Sequence, residues 1–164
     1  MSNLEPLLAD GNVRCHLPAS SRKRALQQVA ELIADAGEST DTALSSDTIF
    51  DGLMNRERLG STGLGHGVAV PHCRIQAAQM RAAFVTLPEP IDYEASDGGL
   101  VDLIFVLAVP EQEQHAHLQA LAVLAAIFSD PENRSALRAC SSDQELYSTF
   151  CKQLAQQVPD AKSA

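Results

Sequence analysis

The stretch Leu64 to Arg74, LGHGVAVPHCR, holds the residue best placed for chemistry, His72. The run Val68-Ala69-Val70 reads as the end of a strand. Pro71 has no N–H to give a ladder and biases Val70 toward extended backbone. His72 is therefore expected just past a strand end, on a fixed piece of loop, with Cys73 and Arg74 beside it. Gly60, Gly63, Gly65 and Gly67 precede it, where a backbone or a ligand can approach closely. An imidazole held this way serves as nucleophile, as acid or base, or as metal ligand. The same pattern also describes an ordinary surface-loop histidine.

Arg56 and His117 are the other candidates. Arg56 stands at the end of a predicted helix, shortly before the glycine-rich approach to His72. His117 has Leu121 and Leu124 at i+4 and i+7, so it lies along the edge of a buried helix face and can lean over a pocket at the helix start. His115, two residues earlier, points elsewhere and reads as solvated. A nucleophilic imidazole, a guanidinium and a second imidazole suit a phosphoryl group. Its loose transition state spreads charge over the oxygens and needs mostly positioning and donors. Arginine supplies a planar fork matched to phosphate, and free N–H groups near Gly65 to Val68 can add more. Plain structural roles fit as well: a macrodipole-matched surface residue for Arg56 and a partly buried histidine with a backbone partner for His117. His72, Cys73 and His117 also allow a metal centre of a hydrolase. GLGHG lacks the lysine and hydroxyl of a P-loop, and no HExxH or GxSxG occurs.

The elements that must position these residues follow from periodicity. Leu4, Leu7 and Leu8 suggest a short helical turn in a polar lead-in. Val13 to Leu17 alternates as a half-buried strand, with His16 on its solvated face. Ser20 or Ser21 caps a helix to about Ala36, with Leu26, Val29, Ala30 and Ile33 as its buried stripe. Arg22, Lys23 and Arg24 crowd its first turn, where the dipole disfavours cations; they read as three solvated side chains, or as a docking patch for an acidic partner. A second helix runs from near Ser46 to Gly60 with Ile49 and Leu53 inward. A strand over Ala82 to Leu87 is followed by turns at Pro88-Glu89-Pro90 and at Ser96 to Gly99. Val101 to Val109 is a central strand buried on both faces. A helix is expected from about Gln114 to Phe128, another after Asp130-Pro131, and a last one behind the capping box Ser142-x-x-Glu145. The pattern predicts an α/β fold: one domain with a mixed parallel and antiparallel sheet of about five strands flanked by helices.

Composition sets limits. The 164 residues fit one domain, and 45% are apolar, enough for one core. With 12 Lys and Arg against 21 Asp and Glu the net charge is −9, which disfavours nucleic acid. Cys15, Cys73, Cys140 and Cys151 form no CxxC, which suits reduced thiols in a cytosol. No apolar run approaches the ~18 residues of a membrane span, so no membrane insertion is expected.

The order Arg56-Glu57, Ser61-Thr62, LGHGVAVPHCR and VPEQEQHAHLQAL resembles the enzyme IIA domain of the bacterial phosphoenolpyruvate-dependent phosphotransferase system, fructose–mannitol type. The resemblance covers about residues 4–156, leaving 157–164 as a frayed tail. The opening, LLADGNVRCHLPASSRKRALQQVAELIA, is similar to the nitrogen-regulatory branch. The resemblance implies that His72 accepts the phosphoryl group, on its Nε2 (tele) nitrogen, that Arg56 supports that group and that His117 is the second histidine of the pocket. It implies no cofactor and no metal. It implies a cytoplasmic protein charged by an HPr-like phosphocarrier, itself charged by enzyme I. Its targets would be regulatory, such as potassium transport components or sensor kinases. A sugar-specific member passing phosphate to a IIB partner has the same chemistry. Where many relatives have glycine after the histidine this chain has Cys73, expected to crowd the pocket or add redox sensitivity.

Overall fold

A computed structural model describes residues 4, 8, 12–36, 45–77, 79–113 and 115–157. Their elements run β1 (Val13–Arg14), α1 (Arg22–Ala36), α2 (Ser46–Arg58), β2 (Gly63–Gly65), β3 (Val68–Ala69), β4 (His72–Ile75), β5 (Arg81–Asp92), β6 (Leu100–Pro110), α3 (Ala116–Ser129), α4 (Pro131–Arg138) and α5 (Asp143–Gln157).

The nearly all-apolar β6 is the centre of a mixed, six-stranded sheet ordered β1-β5-β6-β3-β2, one strand more than the sequence pattern suggests. On one side β5 pairs antiparallel, with Phe84 opposite Phe105 and Val85 opposite Ile104. On the other, β3 and then β4 pair parallel to it, Ala69 opposite Ile104 and His72 opposite Leu107. Alternation along the strands sends side chains to two cores. Ala69, Cys73 and Ile75 pack with Leu26, Ile33, Ile49 and Leu53 of α1 and α2. Val68, Val70 and Phe105 pack with Leu124, Phe128, Leu137 and Phe150 of α3, α4 and α5. The second core centres on rings: Phe84, Phe105 and Phe150 sit 5.2 to 5.6 Å apart between centroids. Tilted pairs of this kind add to the area they bury.

Local signals set the helix ends. Ser45 Oγ accepts from Thr48 N at 3.1 Å, and Asp130 Oδ1 from Glu132 N at 2.9 Å with Pro131 following; such caps stabilise by about 1 kcal/mol each. Ser142 Oγ accepts from Glu145 N at 3.0 Å, while Glu145 reaches back one residue further than a capping box requires, to Ser141 N at 2.7 Å. Leu4 and Leu8 are helical and buried in the second core; Leu7, the predicted helix start at Gln114 and the tail after Gln157 lie outside the described residues.

Three expectations are corrected. His72 is not in a loop: it opens β4. Pro71 cannot donate, but its carbonyl accepts Leu107 N at 3.1 Å, so the parallel pairing with β6 resumes immediately beyond it. Pro88-Glu89-Pro90 is no turn but the middle of β5, where the register slips between Thr86 and Ile91. The prolines, which have no N–H for a ladder, leave the pairing as an exposed bulge and the strand continues. The first strand stops at Arg14 rather than Leu17, because the chain turns at His16, whose φ is 58°. His16 is exposed, as its place in the pattern predicts.

Candidate functional site

His72 is half-buried, and its ring position is fixed by its own strand. The Nδ1 atom lies 3.1 Å from the carbonyl oxygen of Val70. A carbonyl only accepts, so Nδ1 carries the proton. In the neutral ring the free lone pair then belongs to Nε2.

The alternation of β4 decides its neighbours. His72 and Arg74 share one face, and Cys73 points to the other, into the core under α2. Gly52 of α2 leaves room for it: a Cβ there would stand 3.0 Å from that of Cys73. Burial pushes the Cys73 thiol up to about 12, so it stays protonated. Cys73 therefore neither crowds the His72 side nor joins His72 and His117 around a metal, and the hydrolase reading loses its ligand set. Among the described residues no group of three or more His, Cys, Asp or Glu side chains is arranged to hold an ion.

His117 lies on the first turn of α3, half-buried. Burial lowers its pKa most, and Arg74 and then His72 lower it further. His117 Nδ1 is buried without a hydrogen-bond partner among the described residues. His115 is exposed. Arg74 Nη1 ties the approach to α3, donating to the carbonyls of Glu113 at 2.7 Å, Glu111 at 3.2 Å and Pro110 at 3.4 Å. Sequence reasoning gave Arg74 no role; its spacing of two from His72 on a strand is the signal that places it on the same face. A groove of about 620 Å³ lined by Ile75, Ala77, Pro110 and Glu113 opens past the far end of β4, and His72 does not line it.

Arg56 comes from α2, on the other side of the sheet from α3, and is half-buried. Its Nη1 donates to the carbonyl of Gly60 at 2.8 Å. The next residue, Glu57, to which the sequence pattern assigns no role, is a fully buried acid: its carboxylate accepts from Thr62 N at 3.1 Å, from Thr62 Oγ1 and from Tyr93 OH at 3.3 Å, with Arg22 Nη1 at 3.7 Å. Arg22 is therefore not solvated. It also pairs with Glu94 at 2.9 Å and lies 5.7 Å from the Tyr93 ring centroid. Burial, and then the Glu57 charge, drive the Tyr93 phenol far above its usual range, so it remains a donor.

The β2–β3 hairpin before His72 is clamped from outside. Arg138 of α4 donates to both Asp102 oxygens at 2.9 to 3.1 Å and to the His66 carbonyl at 2.6 Å. Asp97 accepts from His66 N at 3.1 Å and Gly99 N at 2.9 Å, and these N–H groups lower its pKa.

A family model described as "Phosphoenolpyruvate-dependent sugar phosphotransferase system, EIIA 2" matches residues 6–153. A nitrogen regulatory protein of Pseudomonas aeruginosa is 40% identical over 148 residues, which cover 90% of this chain and 94% of that protein. The 2-O-alpha-mannosyl-D-glycerate-specific EIIABC component of Escherichia coli is 32% identical over 153 residues, covering 92% of this chain but 23% of that protein. Among solved structures, nitrogen regulatory protein IIA-Ntr from Neisseria meningitidis superposes with a TM-score of 0.81 at 35% identity, covering 91% of this chain and 99% of that one.

Proposed function

The chain belongs to the EIIA 2 family of the phosphoenolpyruvate-dependent sugar phosphotransferase system, and from that premise we propose that it is a nitrogen-regulatory phosphohistidine relay. Residues 4–156 form its functional domain. His72 accepts a phosphoryl group from an HPr-like phosphocarrier charged by enzyme I. The observation that carries this reading is the Nδ1 to Val70 oxygen contact of 3.1 Å, which turns the Nε2 lone pair into the free nucleophile. A bond forms between Nε2 and phosphorus while the bond from phosphorus to the donor's histidine nitrogen breaks, its electron pair returning to the donor ring. In this reading His117 and the Arg56 guanidinium serve the developing charge on the phosphoryl oxygens.

The output is regulatory: a doubly charged group on His72 changes which targets, such as potassium transport components or sensor kinases, the protein binds. The protein works in the cytoplasm; no helix among the described residues is long and apolar enough to cross a membrane. A second reading is a sugar-specific IIA component that passes phosphate to a IIB partner, favoured by the similarity to the mannosylglycerate-specific component.

Incubation with phosphoenolpyruvate, enzyme I and an HPr-type carrier, followed by intact-mass analysis, tests the relay. One acid-labile phosphate on His72 is expected, and none on the folded protein would defeat the proposal. Transfer onward to purified sugar-specific IIB domains as fast as from the carrier would favour the second reading.

A further inference from the structure

We propose that Glu57 is a positioning residue for the His72 imidazole, its buried carboxylate locking the Gly60 to Thr62 loop, which holds the Arg56 side chain at Gly60 and, at Thr62, the Val70 backbone whose carbonyl faces the ring. The inference rests on the reading of His72 as phosphoryl acceptor.

Glu57 lies in the last turn of α2, where the helix dipole disfavours a carboxylate, and its side chain is 0% exposed. A charge so placed persists only where donors surround it. Here they are the Thr62 amide and the Thr62 and Tyr93 hydroxyls, with the Arg22 guanidinium as an ion-pair partner at 3.7 Å. Two of the three donors belong to Thr62, so the carboxylate holds that residue by backbone and side chain together.

Thr62 is one step from the nucleophile's own support. Its carbonyl accepts Val70 N at 3.1 Å, and the Val70 carbonyl faces His72 Nδ1 at 3.1 Å. Three successive hydrogen bonds therefore run from the Glu57 carboxylate to the imidazole ring. The same loop offers the Gly60 carbonyl to Arg56 at 2.8 Å, and Gly60 N returns to the Glu57 carbonyl at 3.0 Å. Releasing Thr62 loosens both attachments at once. Glu57 touches neither phosphoryl group nor ring, so its effect appears in the reacting step and in the ring tautomer, not in the docking of the donor.

The test uses Glu57→Gln, which removes the charge, together with Thr62→Val, which removes one donor, and Thr62→Ser, which restores it. Two readouts are taken. Long-range proton–nitrogen spectra of the unphosphorylated protein report which nitrogen of neutral His72 carries the proton. Single-turnover transfer at rising concentrations of the phosphorylated carrier separates kcat, the limiting rate of one transfer, from KM, the half-saturating carrier concentration.

In the wild type, protonation at Nδ1 is expected. In Glu57→Gln and Thr62→Val, a mixed tautomer and a kcat lowered about 10- to 100-fold at unchanged KM are expected, since small misplacements of reacting groups cost on that order. Thr62→Ser should regain both. Wild-type tautomer and rate in folded Glu57→Gln and Thr62→Val would overturn the proposal. So would a loss carried by KM, or one that follows the folded fraction alone. If Glu57→Gln does not fold, the Val and Ser pair at residue 62 decides. A wild-type protein that never carries phosphate on His72 overturns the underlying reading instead, and the tautomer spectra still test the linkage.

Discussion

Replacing Gly67 with alanine tests the hairpin clamp quantitatively. Gly67 has φ of +85°, and an added Cβ would meet Arg138 Nη2 and stand 3.0 Å from Asp102 Oδ1. The left-handed backbone alone costs an L-residue about 1–2 kcal/mol. The clash with Arg138 adds the loss of that side chain's bonds. Its pair with Asp102 is 36% and 22% exposed on the two sides, so screening holds it to about 1 kcal/mol, and the bond to the His66 carbonyl is worth about as much at most. Gly67→Ala is therefore expected to cost ~2–4 kcal/mol, or roughly 5–15 °C in Tm for a chain of this size. Arg138→Ala alone should cost about 1–2 kcal/mol. In the Arg138→Ala background the clash with Arg138 is gone and Asp102, released from its pair, is free to give way, so Gly67→Ala should cost little more than the backbone strain, about 1–2 kcal/mol. Urea denaturation of the four proteins in this double-mutant cycle measures the shortfall, expected at about 1–2 kcal/mol. Costs that add to within ~0.5 kcal/mol would mean that Arg138 does not sit over the hairpin, and the reasoning fails.

Three further outcomes are expected. His72→Ala should abolish phosphoryl acceptance and leave the circular dichroism spectrum and Tm close to wild type; full acceptance on another histidine would displace the site. Arg56→Ala and His117→Ala should each slow acceptance by ~100- to 1,000-fold without removing the nucleophile, with Arg56→Lys recovering little, as single-turnover transfer from the phosphorylated carrier would measure. Cys73 imposes a pH dependence: burial pushes its thiol from the ordinary 9.0 up to about 12, so above 9.0 the unfolded state loses a proton that the folded state keeps. Between pH 8 and 10 wild type should then lose about 1.4 kcal/mol in total more than Cys73→Ala, the slope steepening toward about 1.4 kcal/mol per pH unit only above that window, and parallel curves from pH 8 to 10 would contradict its burial.

What the sequence disclosed depended on the range of the interaction. β6, the helix stripes and the cap at Asp130 arise from neighbours within a few positions, and they were legible. So was His117, whose i+4 and i+7 leucines placed it at the rim of a core. The strand before Pro71 does end, at Ala69, but a new strand opens at His72 where a loop is expected, because the Pro71 carbonyl still pairs with Leu107 although the residue has no N–H. Pro88 and Pro90 misled in the same way. The network beneath Arg56 was hidden because its members lie far apart in the chain, yet one clue was present. Arg22 is a cation in a first helical turn and Glu57 an acid in a last one, each at the wrong end of its helix. Two dipole-mismatched charges of opposite sign are each other's natural partners, and here they meet at 3.7 Å.

The bulge at Pro88-Glu89-Pro90 has a consequence for how the molecule behaves in a crowded solution. Strand β1 covers the outer side of β5 only at Phe84 and Val85, and Leu17 N adds one bond to Thr86. Beyond Thr86 no strand among the described residues lies on that side, so a long central hairpin presents a free rim. A flat rim of that kind invites strand addition from another chain, the first step toward aggregates. Pro88 and Pro90 offer no N–H there, the slipped register throws the backbone out of line, and Glu89 sets an exposed charge between them. The residues that spoil the pairing with β6 thus also deny a template to foreign strands, and they guard the long hairpin on which the strand of His72 is built.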